Sequence, residues 1–335
     1  MILVTGGTGL VGAHLLFKLA SANEAVKAIY RSERKLDLVK NVFATYTENY
    51  KVLFDAIEWV QADILDIPSL SEAFKNVTHV YHCAALVSFE PNKYHELRKT
   101  NIEGTANIVN FCIAHGIKKL CYVSSIATLG KPLNSTFITE DANWDPENDN
   151  SVYAITKYGA EMEVWRGTQE GLDAVIVNPG VILGAGIWKF GSGSLFKKAH
   201  KGLKYYTSGT IGLVAVEDVV NLMEALMKGS IVNERFVLVA ENWPYKRFLQ
   251  TMAQSVNAKK PEKLASPFLL GIAWKWDWLR HKLLGKRRRL TKSISTSLTT
   301  ETFYSSEKIK SALNYNFKDI NETIYKVGSF YRMQD

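Results

Sequence analysis

Apolar residues in the first 180 positions follow two alternating patterns. Short runs are apolar at consecutive positions, which is typical of strands buried on both faces of a covered sheet. Between them, apolar residues recur at the spacing of a helix with one buried face. The alternation predicts an α/β fold with a doubly wound parallel sheet. The predicted strands span residues 1–5, 25–30, 57–61, 79–83, 119–124 and 173–178, and the predicted helices span residues 11–21, 68–75, 93–114 and 153–169.

The pattern changes after residue 180. Residues 184–212 are rich in Gly, Ser and Lys and have no clear period. The periodicity then returns, because residues 213–216 indicate a strand, residues 217–227 a helix and residues 236–240 a further strand. The rest of the chain is expected to be helices and loops.

These patterns predict two domains of unequal size. The larger would comprise residues 1–180, and residues 213–240 would return to its sheet. The smaller, over residues 181–335, would be discontinuous and mainly helical, formed by residues 181–212 and 241–335.

Composition adds few restrictions. Hydrophobic residues make up 47% of the 335 positions and charged residues 22%, as in an ordinary globular protein. No apolar run of about 18 residues predicts a membrane-spanning helix, and the apolar start lacks the basic region of a signal peptide, so a cytoplasmic protein is expected. Cys83, Cys112 and Cys121 lie in apolar segments without metal-ligand spacing, and we expect no metal site.

The charge is uneven along the chain. The formal net charge is +8, and much of the excess lies in residues 282–292. The remaining basic residues are scattered and are not interleaved with aromatic residues as on a nucleic-acid platform, so no nucleic-acid partner is expected.

A glycine-rich run lies between the first predicted strand and the first predicted helix. Gly6 suits a tight turn, Gly9 would let the backbone approach a pyrophosphate, and Gly12 would let the helix pack closely on the strand. Amide groups at a helix N-terminus attract anions. This context predicts a Rossmann-type dinucleotide-binding turn. Its expected contacts are Gly6, Thr8, Gly9, Leu10, Val11 and Gly12.

The end of the second predicted strand indicates which dinucleotide binds. A carboxylate here would accept a hydrogen bond from the ribose 2′-hydroxyl of NAD and repel a 2′-phosphate. The strand ends instead in Arg31, with Arg34 and Lys35 close behind and Glu33 as the only nearby acid. A guanidinium binds phosphate well. The sequence therefore favours NADP(H) over NAD(H).

Two further pairs follow predicted strands at the edge where ligands of such sheets bind. Asp63 and Ile64 follow the third strand, where the carboxylate could accept from the adenine amino group and Ile64 could pack on the ring. Ala84 and Ala85 follow the fourth strand, and their small side chains would let a ribose approach the backbone.

A tyrosine and a lysine provide candidate chemistry. Tyr153 and Lys157 are four residues apart on a predicted helix and therefore share one face. An ammonium group near a phenol favours the phenolate and lowers its pKa toward neutrality. Ser124 and Ser125 end the preceding strand, where a hydroxyl could hold a substrate oxygen.

The combination resembles one family. The three spaced glycines, Asp63, Asn101, Ser125, Tyr153 with Lys157, and Pro179-Gly180 occur in the order and spacing of the extended short-chain dehydrogenases/reductases. Arg31 and the run Tyr304-Ser305-Ser306-Glu307-Lys308 are similar to the dihydroflavonol 4-reductase and 3β-hydroxysteroid dehydrogenase branch.

The resemblance implies a role for each matching residue. Tyr153 would be the catalytic acid–base, and Lys157 would lower its pKa and bind the nicotinamide ribose. Ser125, rather than Ser124, would orient the substrate oxygen, and Asn101 would support the active-site helix. The segment beginning at Pro179 would pass beside the nicotinamide, with contacts expected from Pro179, Gly180, Val181 and Ile182. A homodimer through the helices at 93–114 and 153–169 is also implied.

The substrate is less defined than the chemistry. Ser88, Phe89 and Trp188 are candidate pocket walls, and the aromatic residues favour a small apolar or ring-containing molecule. One alternative is a sugar-nucleotide epimerase or dehydratase with retained NAD(H), against which Arg31 argues. A second is a non-catalytic NADP-sensing regulatory protein, in which loss of Ser125, Tyr153 or Lys157 would be expected.

A late segment combines apolar and basic residues. Residues 267–284 are rich in Leu and Trp and precede Lys286-Arg287-Arg288-Arg289. The favoured interpretation is a helix whose apolar face packs on the core while its cations are solvated. Peripheral membrane contact through residues 268–292 is the alternative.

Overall fold

The structure, a computed structural model, describes residues 1–130, 135–284, 288 and 290–334. Its strands are, in chain order, β1 (Ile2–Thr5), β2 (Val26–Tyr30), β3 (Glu58–Gln61), β4 (His79–His82), β5 (Lys119–Val123), β6 (Phe137–Ile138), β7 (Ala174–Pro179), β8 (Val181–Leu183), β9 (Tyr205–Tyr206), β10 (Thr210–Ala215), β11 (Glu234–Leu238), β12 (Glu241–Pro244), β13 (Lys263–Leu264) and β14 (Phe303–Tyr304). Its helices are α1 (Leu10–Ser21), α2 (Leu36–Phe43), α3 (Tyr50–Asp55), α4 (Ile67–Ala73), α5 (Tyr94–Leu97), α6 (Gly104–Ala114), α7 (Val152–Gln169), α8 (Gly193–His200), α9 (Val216–Lys228), α10 (Tyr245–Ser255), α11 (Pro267–Leu284), α12 (Lys292–Ser297), α13 (Glu307–Leu313) and α14 (Ile320–Gln334).

Seven parallel strands form the central sheet in the order β11-β7-β5-β4-β1-β2-β3. The order reverses at β1, because β2 and β3 lie on one side of it and β4, β5 and β7 on the other. Open α/β sheets bind ligands beyond the carboxyl ends of their strands at such a reversal. The predicted doubly wound Rossmann-type sheet is confirmed, and the glycine-rich turn lies at the reversal.

Helices cover both faces of this sheet. On one face α1, α2 and α9 pack around Leu15, Val39 and Met223. On the other face α4, α6 and α7 form a second apolar cluster. Adjacent residues of one strand serve both clusters, since Val4 belongs to the first and Leu3 to the second. Burial on both sides explains why the strands are apolar at consecutive positions.

The helix predicted over residues 93–114 forms, but its winding is not uniform. Between α5 and α6 the chain makes a π-helical turn over Arg98–Glu103. Gly104 begins α6, and a Cβ there would lie 2.5 Å from Cδ1 of Ile64. The helix therefore approaches the end of β3 more closely than any larger residue would allow.

The smaller sheet corrects part of the predicted organisation. Strand β10 pairs with β8 in parallel and with β12 in antiparallel fashion, so the first strand of the 213–240 segment is not in the main sheet. Only β11 returns there, beside β7. The crossing between the sheets occurs at Gly180, whose amide donates to the Leu238 carbonyl (3.0 Å). The predicted boundary of the two domains at this residue stays a prediction.

Helix α11 contradicts the favoured interpretation of the late segment. Only Leu270 and Asp277 of this helix are buried, and most of its large apolar side chains are exposed. In the basic cluster, Lys286, Arg287 and Arg289 lie outside the described residues. Within the described chain, no helix has both the length and the hydropathy that crossing a membrane requires.

The close approach at Gly180 gives a test of the fold. A Cβ at this position would lie 2.5 Å from the carbonyl oxygen of Gly212 in β10, so Gly180→Ala must displace backbone. We expect a loss of about 1–3 kcal/mol in stability, seen as a thermal midpoint lower by several degrees. Gly271→Ala is the control, because a Cβ there meets nothing within 4 Å. Equal midpoints for the two variants would contradict the packing of the two sheets.

Candidate active site

The glycine-rich turn is held tightly against the end of β4. Gly6 has φ = +67°, and a Cβ on it would lie 2.5 Å from the Ala84 nitrogen. A Cβ on Gly12 would lie 2.3 Å from the Gly6 carbonyl oxygen. The Ala84 amide also donates to the Thr5 hydroxyl (3.3 Å). The turn therefore needs glycine at both positions for conformation and for close packing.

The N-terminus of α1 presents unpaired amides at this turn. Gly9 is the N-cap, no described side chain caps the helix, and its first turn contains no acid. The amides of Leu10, Val11 and Gly12 have no acceptor within the helix. Together with the helix dipole they favour an anion such as a pyrophosphate. Thr8 and Gly9 are half-buried beside them.

Arg31 lies at the carboxyl end of β2, close to the end of β3. Its Nη1 is 3.6 Å from Oδ2 of Asp63, and both side chains are largely solvent-exposed. Burial and the charge of Arg31 lower the pKa of Lys35. Arg34 is exposed on the same turn. The ends of β2 and β3 thus combine several cations with one paired carboxylate.

The two predicted adenine contacts behave differently. Asp63 keeps one carboxylate oxygen toward the Leu65 amide (3.0 Å) and remains at the surface. Ile64 is only 5% exposed and lies in the core under Gly104. The prediction that Ile64 packs on an adenine ring is therefore wrong in this structure, because its side chain is used for packing between β3 and α6.

The loop after β4 supplies one of the predicted pocket walls. Ala84 is half-buried and Ala85 exposed. We call the surface between this loop and Tyr153 the groove. Phe89 is exposed, and its ring centroid lies 5.3 Å from that of Tyr153. Ser88 is instead buried, and its hydroxyl accepts from the Glu90 amide (3.3 Å), so it does not line the groove.

Trp188 is also misplaced by the sequence prediction. Its ring packs edge-on against Phe196 and Tyr331, at 6.2 and 5.2 Å between centroids. These residues belong to the apolar core of the smaller sheet and α8, α10 and α14. Trp188 therefore stabilises that core rather than forming a wall beside Tyr153.

Tyr153 and Ser125 come together as predicted from their positions in the sequence. Ser151 caps α7 by accepting from the Ala154 amide (3.1 Å), which places Tyr153 in the first turn of the helix. Burial raises the pKa of Tyr153, and the neighbouring Ser125 side chain opposes this rise. The Ser125 oxygen also accepts from the Ala127 amide (3.1 Å). The hydroxyl pair is thus fixed at the carboxyl end of β5.

Lys157 lies beneath this pair and is almost completely buried. Its ammonium donates to the Tyr122 hydroxyl (2.5 Å) and to the Val123 carbonyl (2.8 Å). Burial lowers the pKa of Lys157 to about 7, while Glu161 raises it. We expected this ammonium to lower the pKa of Tyr153, but in the structure burial dominates and the tyrosine pKa is raised.

Glu161 explains why the two neighbouring serines differ. This buried carboxylate accepts from the Ser124 hydroxyl (2.5 Å), the Thr128 hydroxyl (2.9 Å) and the Asn178 amide (2.9 Å). Its other oxygen pairs with Arg235 (2.9 Å). Ser124 is thereby committed to the core, which leaves Ser125 as the serine facing Tyr153.

Asn101 ties three segments together. It lies in the π-helical turn, where its carbonyl accepts from the Leu86 amide (2.7 Å) and its amide donates to the Leu86 carbonyl (3.0 Å). The same amide donates to the Thr156 hydroxyl (3.2 Å), which donates in turn to the Tyr153 carbonyl (3.1 Å). Asn101 therefore positions the groove loop against α7.

A buried row of polar side chains joins the glycine-rich turn to Lys157. The ring of His82 lies between the hydroxyls of Thr5 (2.6 Å) and Thr105 (3.0 Å). It stacks on the ring of Tyr122, with 5.4 Å between centroids, and burial raises the pKa of Tyr122 well above its usual range. Burial also lowers the pKa of His82 to about 3, so its ring is neutral. The sequence prediction missed Tyr122, His82 and Glu161.

The segment after β7 passes close to the same turn. Val181 and Ile182 are half-buried in β8, directly after Pro179 and Gly180. At the end of β8, a Cβ on Gly184 would lie 3.1 Å from Cδ1 of Leu10. The predicted nicotinamide-side segment is therefore adjacent to the start of α1. No cluster of three or more potential metal ligands occurs among the described residues.

Two relatives are similar in sequence to this chain over most of its length. Sterol demethylase protein B of Methylococcus capsulatus is 27% identical over 85% of this chain and 84% of its own length. A putative dihydroflavonol 4-reductase of Synechocystis sp. is 26% identical over 82% of this chain and 77% of its own length. The second similarity agrees with the branch that the sequence motifs indicate.

A solved structure and a family profile complete the comparison. The Bordetella bronchiseptica enzyme WbmG, in complex with NAD and UDP, is similar with a TM-score of 0.75 at 16% identity, covering 99% of this chain and 95% of that one. At this identity the likeness shows the fold alone. Residues 2–238 match the profile of the NAD dependent epimerase/dehydratase family. The chain, whose sheet and glycine-rich turn have the expected form, therefore belongs to the NAD dependent epimerase/dehydratase family.

Proposed function

We propose that this protein is an NADP(H)-dependent oxidoreductase that reduces a carbonyl group, or oxidises the corresponding secondary alcohol, of a small apolar or ring-containing substrate. The observation that carries the proposal is the proximity of the Ser125 and Tyr153 side chains at the carboxyl edge of the sheet, where Ser125 opposes the rise that burial causes in the pKa of Tyr153. Lys157 lies one helical turn further along α7. These groups adjoin an anion-binding turn, so a dinucleotide and a reacting oxygen would meet there.

The residues around the turn fit a dinucleotide. The uncapped amides of Leu10, Val11 and Gly12 would hold the pyrophosphate, and Asp63 would lie near the adenine. Arg31, assisted by Arg34, would hold a 2′-phosphate, because both are exposed at the end of β2. Glu33, the acid nearest to them in the sequence, is exposed, and Arg31 pairs with Asp63 instead. This arrangement supports NADP(H) over NAD(H).

Tyr153 and Ser125 would protonate and hold the substrate oxygen. A bound nicotinamide supplies or accepts the hydride. In the reductive direction, the Tyr153 phenol would donate its proton to the oxygen that gains charge, while the Ser125 hydroxyl holds that oxygen by a hydrogen bond. Since burial raises the pKa of Tyr153, the phenol keeps its proton at neutral pH and can act as the acid.

Lys157 and its partners would hold this pair in place. Tyr122 and the Val123 carbonyl fix the ammonium from below. The remaining proton of the ammonium is available for a ribose hydroxyl, the role that family membership suggests. A pKa of about 7 means that a new acceptor or anion close to Lys157 would favour its charged form.

The groove favours an apolar substrate. Phe89 lies beside Tyr153, and Val87 on the same loop is exposed as well. Two relatives bear names that refer to a sterol and to a dihydroflavonol, both ring compounds.

The alternative function, a sugar-nucleotide epimerase or dehydratase, would instead retain NAD(H). Nucleotide released by denaturing the purified protein distinguishes them, since one equivalent of tightly held NAD(H) would favour that alternative.

The catalytic role of the phenol is tested by Tyr153→Phe. Loss of the proton donor should lower kcat for carbonyl reduction by about 10²–10⁴, while the dissociation constant for NADPH stays nearly unchanged. Tyr158→Phe is a matched control on the same helix, because its ring is already engaged by stacking on Trp144, with 4.6 Å between centroids. If Tyr153→Phe turned over substrate as fast as the control, the proposed mechanism would be wrong.

The two serines provide a second test. Ser125→Ala should reduce kcat by about 10²–10³, because a donor to the substrate oxygen is lost. Ser124→Ala should leave kcat within a few-fold but lower the thermal midpoint, because Glu161 loses a buried partner. The assignment of roles is wrong if Ser124→Ala is the variant that loses turnover while remaining folded.

The cofactor preference is tested by Arg31→Ala with NADPH and NADH compared side by side. The variant should bind NADPH about 10–100 times more weakly, since a charge-assisted contact with the 2′-phosphate is lost. Affinity for NADH, which lacks that phosphate, should change little. Thermal shifts at graded nucleotide concentrations measure both. A wild type stabilised more by NADH than by NADPH would reverse the preference.

A further inference from the structure

Helix α11 exposes an apolar stripe along one face. Phe268, Ile272, Trp276, Leu279 and Leu283 are spaced by three or four residues and therefore lie above one another on the helix. Phe268 is 79% exposed, Trp276 67% and Leu283 70%. The stripe extends over about four turns, or roughly 22 Å. Apolar surface this continuous on a protein exterior marks a contact with a partner or a membrane.

The opposite side of α11 attaches the helix to the protein. Leu270 and Asp277 are buried and lie two turns apart. The Asp277 carboxylate accepts from Arg280 (2.6 Å) and from the Leu290 amide (3.1 Å). None of the large apolar clusters of the described chain includes a side chain of α11. The bond to the Leu290 amide and the burial of Leu270 hold this side of the helix, while its apolar face points outward.

The charges around the stripe are basic. Lys275 and Lys282 are exposed and, being seven residues apart, lie along one flank of the stripe. The Lys282 ammonium lies 5.3 Å from the centre of the Trp278 ring. Asp277, the only acid between residues 265 and 300, is buried and paired, whereas that segment contains eight Lys and Arg residues. In the sequence, the chain's formal charge of +8 is therefore concentrated in the segment that contains this helix.

We infer that the exposed stripe of α11 is a docking surface for an anionic lipid bilayer, with the helix lying in the plane of the membrane interface. Apolar side chains would enter the boundary between headgroups and acyl chains, while the flanking lysines meet lipid phosphates. A tryptophan beside a lysine suits this boundary, because each has an apolar body and a polar end. Charge complementarity selects an acidic membrane surface over a second copy of this basic chain.

Vesicle co-sedimentation of the full chain tests the inference. Wild type should sediment with vesicles of phosphatidylcholine mixed with phosphatidylglycerol, and much less with phosphatidylcholine alone. Trp276→Ser combined with Leu283→Ser should raise the lipid concentration for half-binding by roughly tenfold or more. The matched control is Val52→Ser combined with Ile67→Ser, two exposed apolar residues elsewhere. The control should bind as wild type does.

The electrostatic part has its own pair of variants. Lys275→Gln with Lys282→Gln should weaken binding to the mixed vesicles by about tenfold or more, and added salt should weaken wild type similarly. Lys75→Gln with Lys118→Gln removes the same charge from an exposed surface elsewhere and should have a much smaller effect. Thermal midpoints of all variants show that they remain folded.

Three results would overturn the inference. The first is failure of wild type to sediment with the mixed vesicles. The second is equal binding by wild type and the Trp276/Leu283 variant, or equal binding to the two vesicle types. The third is a dimer in sedimentation velocity without lipid that the Trp276/Leu283 variant abolishes while vesicle binding is absent, which would assign the stripe to a second copy.

Discussion

The burial of Lys157 constrains the rest of the candidate site. An ammonium removed from water is costly unless its donors are satisfied and an opposite charge lies near. Tyr122, the Val123 carbonyl and Glu161 meet these requirements. Glu161 is itself buried and is bonded to Ser124 after β5, to Asn178 in β7 and to Arg235 in β11. One buried cation thus organises the ends of several strands around the face of α7 that carries Tyr153.

The same network distinguishes polar residues that stabilise the fold from those proposed to contact the substrate. Ser124 and Ser125 are adjacent, yet their side chains meet different residues of α7. The Ser124 hydroxyl donates to the buried Glu161, whereas the Ser125 side chain lies beside Tyr153. Asn101 and His82 likewise act through neighbours, by fixing the groove loop and by joining the glycine-rich turn to Tyr122. Of Ser124, Ser125, Asn101 and His82, Ser125 is the one whose side chain lies beside Tyr153, where the proposed function requires it.

Local patterns predicted the sheet, the glycine-rich turn and the Ser125–Tyr153–Lys157 set, because each depends on short spacing and on strand ends. Residues whose role depends on distant partners were missed. In the sequence Glu161 looks like any acid on a helix, because its partner Arg235 lies 74 positions later. Ile64 and Trp188 were assigned to ligand surfaces, but both pack against other side chains of the protein. The sequence does not show whether an apolar side chain contacts protein or ligand. For α11 the error was the reverse. Its apolar face was expected to pack on the core, but no described part of the chain covers it.

The π-helical turn over Arg98–Glu103 has a consequence for sequence change in this region. Such a turn carries one residue more than an α-helical turn, and the wide turn absorbs it without changing the phase of the helices on either side. Removing a single residue there would restore regular winding and leave Gly104 facing Ile64. The loss would fall on Asn101, whose side chain binds the Leu86 backbone from within the turn. The extra residue is therefore tied to the placement of Asn101 rather than to the packing of Gly104.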